Sequence, residues 1–173
     1  TPSGNKISWF ENDGNQNFAE HTLKENWYWV KRASAFDIDN DNDIDVVAAA
    51  NIGEIIWFEN DGDENFTEHL VISGWGEPNA VLVEDINRDG VNDLVATSVV
   101  ANEVVWFQND ENQNFSKNII KGQYNGAYGL AIADIDDDND IDVIATAWIA
   151  GIGSVFKNDG NQNFTEHDFC TGG

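Results

Sequence analysis

Apolar and polar residues alternate along this chain in short segments, and the pattern repeats about every 48 residues. In the unit that is easiest to delimit, residues 33–37 lead into an acidic loop and residues 45–50 form an apolar run. Two further segments, 54–59 and 66–71, flank the polar turn NDGDEN. Asn, Asp and Gly supply the left-handed backbone and local hydrogen bonds that a hairpin turn needs. Each unit is therefore predicted to contain four short antiparallel β-strands, and no segment has a helical period.

Two unlike motifs share this period, which makes the repeat specific. Variants of the aromatic motif WFENDGNQNF begin at Trp9, Trp57, Trp106 and Val155, with offsets of 48, 49 and 49 residues. Variants of the acidic motif DIDNDNDID begin at Asp37, Asp85 and Asp134. Together the motifs divide the chain into a half unit and three full units, at about 6–23, 28–72, 77–120 and 127–168.

The predicted fold is all-β, because four antiparallel strands in each period are typical of β-propeller blades. The chain is expected to be one propeller or propeller-fragment domain over residues 1–173, with three and a half blades. Fewer than four blades do not close a ring. We therefore expect either the remainder of a longer propeller or a homo-oligomer, in a ring of about seven blades.

The acidic motifs are the candidate metal sites. Ca²⁺ takes six to eight oxygen ligands, which a loop can supply from side chains at positions 1, 3, 5 and 9 and a carbonyl at position 7. The side chains would be those of Asp37, Asp39, Asp41 and Asp45, of Asp85, Asn87, Asp89 and Asp93, and of Asp134, Asp136, Asp138 and Asp142. The carbonyls would be those of Asp43, Val91 and Asp140. Three Ca²⁺ ions with a structural role are expected, since Zn²⁺ lacks Cys or local His ligands and Mg²⁺ prefers fewer protein ligands.

The paired motifs resemble the FG-GAP/VCBS repeats that form the blades of integrin α-subunit propellers and of many bacterial extracellular proteins. Some fungal propeller lectins share the design. The resemblance covers nearly the whole chain, and it implies that each acidic loop joins the first two strands of a blade and binds Ca²⁺. The second loop departs from the pattern, because Asn87 lowers its ligand charge, and this site is expected to bind more weakly.

The charge of the chain limits its partners. It carries 32 acidic and 8 basic residues, a formal net charge of −24. Such a surface repels nucleic acid and anionic membranes, and no apolar run approaches the ~18 residues that span a bilayer. Extracellular calcium modules have dissociation constants of roughly 10⁻⁴–10⁻³ M. Sites this weak would be empty in a cytosol, so an extracellular or cell-surface location is expected. The sequence has no Met, and we expect a processed or excised piece.

No catalytic arrangement is predicted. His21, His69 and His167 occupy one repeat position and so belong to different blades. The sequence has no nucleophile–base pair and no phosphate-binding loop, and the single Cys170 cannot form an intrachain disulfide. The chain is therefore expected not to be an enzyme, while an origin as the accessory domain of a larger extracellular enzyme stays open.

Aromatic residues outside the repeated Trp–Phe pair are the candidate ligand contacts. They lie before the first strand or after the second strand of a unit, at Trp27, Trp29, Trp75, Tyr124, Tyr128 and Trp148. In a propeller these segments share the face opposite the acidic loops. Exposed rings there would stack on sugars or anchor a protein partner, and packing between blades is the alternative.

The sequence thus favours an extracellular, calcium-stabilised propeller that binds a glycan or a protein surface in an adhesion or lectin-like role. The alternative is a structural unit that self-associates through open blade edges, since an unpaired edge strand accepts another strand. The sequons at Asn65, Asn114 and Asn163 share one hairpin position, and we interpret them as by-products of the repeat.

Overall fold

The computed structural model describes residues 5–110 and 112–170, which form fourteen β-strands. In chain order these are β1 (Lys6–Asn12), β2 (Phe18–Glu25), β3 (Val30–Phe36), β4 (Asp45–Ala50), β5 (Glu54–Asn60), β6 (Phe66–Ile72), β7 (Pro78–Glu84), β8 (Asp93–Ser98), β9 (Glu103–Asn109), β10 (Phe115–Lys121), β11 (Ala127–Ala133), β12 (Asp142–Ala147), β13 (Ile152–Asn158) and β14 (Phe164–Cys170). The described residues contain no helix, and so none that is long and apolar enough to cross a membrane. The all-β prediction is confirmed.

The strands form four separate antiparallel sheets. β1 and β2 make a half sheet, β3–β6 the first full sheet, β7–β10 the second and β11–β14 the third. Within each full sheet the strands lie side by side in chain order. This arrangement confirms the blade-like units predicted from the repeat, and the described sheets do not close into a ring.

The turn between the last two strands of each sheet is held by an Asp–Asn pair. In the first full sheet, the Asp61 carboxylate accepts hydrogen bonds from the backbone N–H of Asp63 and from both the backbone and the side-chain amide of Asn65. Gly62 and Glu64 have φ values of 80° and 63° there. The pairing recurs at Asp13–Asn17, Asp110–Asn114 and Asp159–Asn163. These hydrogen bonds, the Asn side chain above all, hold the pKa of each Asp below its usual value. The sequon asparagines therefore have a structural role in the hairpin.

The hydrophobic core consists of three clusters, each lying between two consecutive sheets. Val47 and Trp57 of the first full sheet share a cluster with Leu94 and Phe107 of the second. The second and third full sheets share another cluster, and a smaller one joins the half sheet to the first full sheet. Burial of apolar surface between sheets is the main force that holds them together.

Three of the six aromatic residues predicted as ligand contacts are buried, and the prediction is wrong for them. Trp27, Trp75 and Tyr124 are only 1%, 6% and 1% exposed. Each ring packs edge-on against the Phe on the third strand of its own sheet, with centroids 5.9, 5.5 and 5.5 Å apart. Both indole N–H groups donate to a carboxylate, that of Glu54 or of Glu103. The three residues occupy one repeat position, with offsets of 48 and 49, which is the sequence signal for a core role.

Candidate metal centres

The last Asp of each acidic loop is a buried hub that ties the loop to its sheet. Asp93 is fully buried, its Oδ1 accepts the Asn109 backbone N–H at 2.9 Å, and its Oδ2 accepts the Ile86 backbone N–H at 3.2 Å. Asp45 and Asp142 accept the equivalent pairs of hydrogen bonds. The start of each loop, its last residue and the end of the third strand are therefore held together by one carboxylate.

The first Asp of each loop closes the turn from the other side. The Asp37 carboxylate accepts the backbone N–H of Asp41 and of Asn42, both at 3.0 Å. Position 6 of the loops adopts the left-handed conformation, with φ of 78°, 88° and 72° at Asn42, Gly90 and Asn139. Asn and Gly are the residues that tolerate this conformation best. Each acidic loop thus curls back on itself, which brings the side chains at alternate loop positions toward one another.

Two of the three loops gather carboxylates closely enough to hold a metal ion. Carboxylate oxygens that all lie within 4.8 Å of one another belong to Asp37, Asp39 and Asp45 and to Asp134, Asp136 and Asp138. Within the described residues, Asp39 Oδ1 and Asp134 Oδ1 are buried without a hydrogen-bond partner. A buried carboxylate oxygen without a donor is costly, and a cation supplies the missing interaction. The first and third loops therefore fit a hard cation that takes oxygen ligands, as Ca²⁺ does.

The second loop is different, as its Asn87 suggested. The Asn87 amide donates to Asp89 Oδ2 at 2.7 Å, so an internal hydrogen bond stands where the other loops bring carboxylates together. No group of three carboxylates forms in this loop among the residues that the structure describes. A metal ion at the second loop, and ligation by the carbonyls of Asp43, Val91 and Asp140, remain predictions.

Burial raises the pKa of three loop carboxylates, those of Asp39, Asp45 and Asp93. Burial, followed by the charges of Asp45 and Asp41, raises the pKa of Asp39 to about 6. Burial raises the pKa of Asp93 to about 6 as well, against the opposing hydrogen bond from the Asn109 backbone. Because the folded-state pKa lies above the unfolded one, ionisation of these groups destabilises the metal-free fold as the pH rises toward about 6. A bound cation favours the ionised form and opposes this loss.

Neighbouring acidic loops contact each other across the sheets. The Asn92 side chain of the second loop donates to the Asp37 carbonyl at 2.8 Å and to Asn40 Oδ1 at 3.1 Å in the first. On its other side, the Arg88 guanidinium lies 3.1 Å from Asp140 Oδ1 of the third loop. The three loops therefore form one continuous edge.

The histidines do not form a site. His21, His69 and His167 lie on the outermost strands β2, β6 and β14 of three different sheets. The His69 ring stacks on Trp57 at a centroid distance of 4.7 Å, and its Nε2 lies 2.5 Å from Glu59 Oε2. These contacts support the interpretation of the histidines as structural repeat residues.

The remaining candidate aromatics are exposed at the end of the sheets opposite the acidic loops. Trp29, Tyr128 and Trp148 are 67%, 45% and 65% exposed. At this end the linkers between sheets contact the turns between second and third strands, as in the hydrogen bond from the Trp148 N–H to the Gly126 carbonyl at 3.0 Å. The sequence predicted that these aromatic residues share the face opposite the acidic loops, and Trp29, Tyr128 and Trp148 lie there.

One of these aromatics lines a cleft. Trp29, Asn51, Ile52 and Glu77 surround a volume of about 440 Å³. Trp29 has a φ of 62°, which is costly for a bulky residue, and its carbonyl accepts the Asn51 N–H at 3.0 Å. The Asn51 amide lies 3.4 Å from Glu77 Oε2. The cleft joins an exposed ring to polar donors and acceptors. The sequence did not point to Asn51 and Ile52 as ligand contacts. Their only signal was a place in the turn between the second and third strands.

Comparison with known families accounts for the acidic loops. The chain matches the FG-GAP-like repeat over residues 37–96 and 85–145. The two matches overlap, span residues 37–145 of 173 and contain all three acidic loops. No curated protein matches the chain.

Proposed function

Because the chain belongs to the FG-GAP-like repeat family, we propose that it is an extracellular, calcium-stabilised β-propeller module that binds glycans. Its sheets are blade-like, and its acidic loops follow the repeat. The proposed glycan site is the cleft around Trp29. The proposed role of calcium is to stabilise the blades that form this cleft. FG-GAP-like repeats are typically extracellular, which supports the proposed location.

Calcium is supported by charge as well as by geometry. In the proposal, the ions are held by the four side chains of each loop and the carbonyl at position 7, with the first and third loops as the stronger sites. A net charge of −24 opposes a compact fold, and each ion would remove two negative charges. Bound Ca²⁺ would supply the cation that the buried Asp39 Oδ1 and Asp134 Oδ1 lack.

The Trp29 cleft carries the glycan proposal. An indole face offers the flat apolar platform on which the C–H face of a sugar ring stacks. The Asn51 amide and the Glu77 carboxylate beside it offer a donor and an acceptor for hydroxyl groups. A bulky residue held at positive φ suggests that the exposed position of the ring is used. The proposed module is not an enzyme, and its proposed partners do not include nucleic acid or membranes.

Replacing Trp29 with Ala is expected to weaken glycan binding by about tenfold or more, because aromatic anchors dominate such sites. The measurement is a glycan array in millimolar calcium and in EDTA, followed by titration of any hit. Trp148→Ala is the matched control, since that ring is similarly exposed but lies outside the cleft. If Trp148→Ala lost glycan binding and Trp29→Ala did not, the glycan site would lie on the third full sheet instead. A blank array with folded protein would contradict the glycan proposal.

A second candidate function is assembly through the half sheet. Among the described residues, β1 pairs with β2 alone, so its other edge is open. Residues of the half sheet and of the first full sheet line a cleft of about 340 Å³: Trp9, Ala35, Ile44, Val46, Asn60, Glu64 and Phe66. In each full sheet, the second strand pairs with this edge of the third. If the chain assembles with itself, sedimentation velocity will show a concentration-dependent oligomer, whereas a strict monomer would contradict this candidate.

A further inference from the structure

One repeat position beside the acidic loops changes its charge from sheet to sheet. It follows the Phe of the third strand and is Glu59 in the first full sheet, Gln108 in the second and Lys157 in the third. The residue after it donates its backbone N–H to the buried hub Asp of the loop, as Asn158 does to Asp142 at 2.9 Å. The backbone at this position therefore adjoins the acidic loop in every full sheet.

In the third sheet this side chain lies among the candidate metal ligands. The Lys157 ammonium donates to Asp136 Oδ2 at 2.9 Å. The carboxylates of Asp142 and Asp138 are close enough to act on its charge. Arg88 adds a second positive charge at Asp140 of the same loop.

The first loop has the opposite environment. Glu59 lies close enough for its negative charge to act on Asp39, and its carboxylate contacts His69 Nε2. Among the described residues, no salt bridge joins a Lys or Arg side chain to a carboxylate of the first loop. The two loops thus have the same predicted ligands but neighbours of opposite charge.

We propose that Lys157 is a tethered cation that competes with calcium at the third loop, so that this loop fills at a higher calcium concentration than the first. The proposal rests on the proposed calcium binding. To bind the ion through Asp136, the loop must give up its contact with the ammonium group or hold both cations together. The first route loses the ion pair between Lys157 and Asp136, and the second brings like charges together at short range, so either route lowers the affinity. At the first loop, Glu59 adds negative charge and acts in the other direction.

The test is a calcium titration by calorimetry that follows one loop at a time. In an Asp39→Asn background, which disables the first loop, Lys157→Gln is expected to tighten calcium binding at the third loop by about tenfold, and Lys157→Glu by more. Glu59→Lys, in an Asp136→Asn background, is expected to weaken the first loop by about tenfold. Lys121→Gln is the matched control, because Lys121 forms a salt bridge with Glu166 away from any acidic loop.

The calcium-dependent rise in melting temperature gives a second readout, and circular dichroism checks that each variant folds. Tighter binding in Lys157→Gln but not in Lys121→Gln supports the proposal, as does calcium binding that appears only after the substitution. An unchanged affinity of the third loop in folded Lys157→Gln and Lys157→Glu would overturn it, while calcium binding at the first loop would leave the proposed function standing. If no variant binds calcium at either loop, the calcium role itself fails, and the role of Lys157 fails with it.

Discussion

Asp93→Ala is expected to lower the free energy of unfolding by about 2–4 kcal/mol, because it leaves two buried backbone N–H groups without an acceptor. Those groups belong to Ile86 and Asn109, and the Asp93 carboxylate accepts both at 3.2 and 2.9 Å. Relief of the cost of burying the charge offsets part of the loss, since burial already raises the pKa of this group to about 6. Urea unfolding followed by circular dichroism measures the change.

The second loop separates this structural role from metal binding. It holds no group of three carboxylates among the described residues, so most of the loss in Asp93→Ala should persist in EDTA. Asp89→Ala is the matched control, because Asp89 lies in the same loop but is exposed, and its loss should stay below about 1 kcal/mol. Equal losses in the two variants would show that the buried carboxylate is not a hub.

Removal of calcium is expected to be the second large effect. With dissociation constants of about 10⁻⁴ M and millimolar calcium, each occupied site adds about 1.4 kcal/mol by mass action. Two sites then contribute about 3 kcal/mol, and EDTA should lower the melting temperature by roughly 5–10 °C. Differential scanning fluorimetry in EDTA, with and without added calcium, measures this shift.

The calcium effect should also depend on pH. The pKa of Asp39 is raised to about 6, so this group is mostly protonated at pH 5 and has to lose its proton to bind the ion. The metal-free fold gains stability as the pH falls through about 6, while the calcium-bound fold loses its ligand charge. The shift caused by EDTA should therefore be larger at pH 7.5 than at pH 5. Magnesium at the same concentration is the control, and a melting temperature that no divalent ion changes would contradict the metal role.

The acidic loops could be predicted closely because their information is local. Alternate acidic residues and a central Asn or Gly lie within nine consecutive positions, and residue type favours the positive φ at Asn42, Gly90 and Asn139. The sequence also marked the second loop as different through Asn87, which forms a hydrogen bond with Asp89 in the structure. The sequence did not point to Lys157, because it lies 15 to 23 residues after the four side-chain ligands predicted for the third loop. Only the pairing of β12 with β13 brings it beside Asp136.

The same reasoning explains the errors on the aromatic residues. Trp27 and Trp29 are two positions apart, yet they are 1% and 67% exposed. Only Trp27 has aromatic counterparts at its repeat position, Trp75 and Tyr124, and this was the signal that separates the two. Trp27 packs against Phe58, which lies 31 residues later on β5, so this contact exists only in the assembled sheet. Trp29 has a left-handed backbone, with a φ of 62°, and its ring is exposed.

By itself the sequence determined the strands, the hairpin turns and the curled acidic loops, because each depends on interactions within a few residues. The tertiary structure alone decided which copies of a repeated residue are buried. Ile38 and Ile86, at one loop position, are 0% and 2% exposed, but their counterpart Ile135 is 46% exposed. Phe58 is 0% exposed, and its counterpart Phe10 is 58% exposed. The physical reason is that a sheet loses contact with water only where another sheet covers it. The first two isoleucines face a following sheet and Phe58 faces a preceding one, whereas Ile135 and Phe10 have no such neighbour among the described residues.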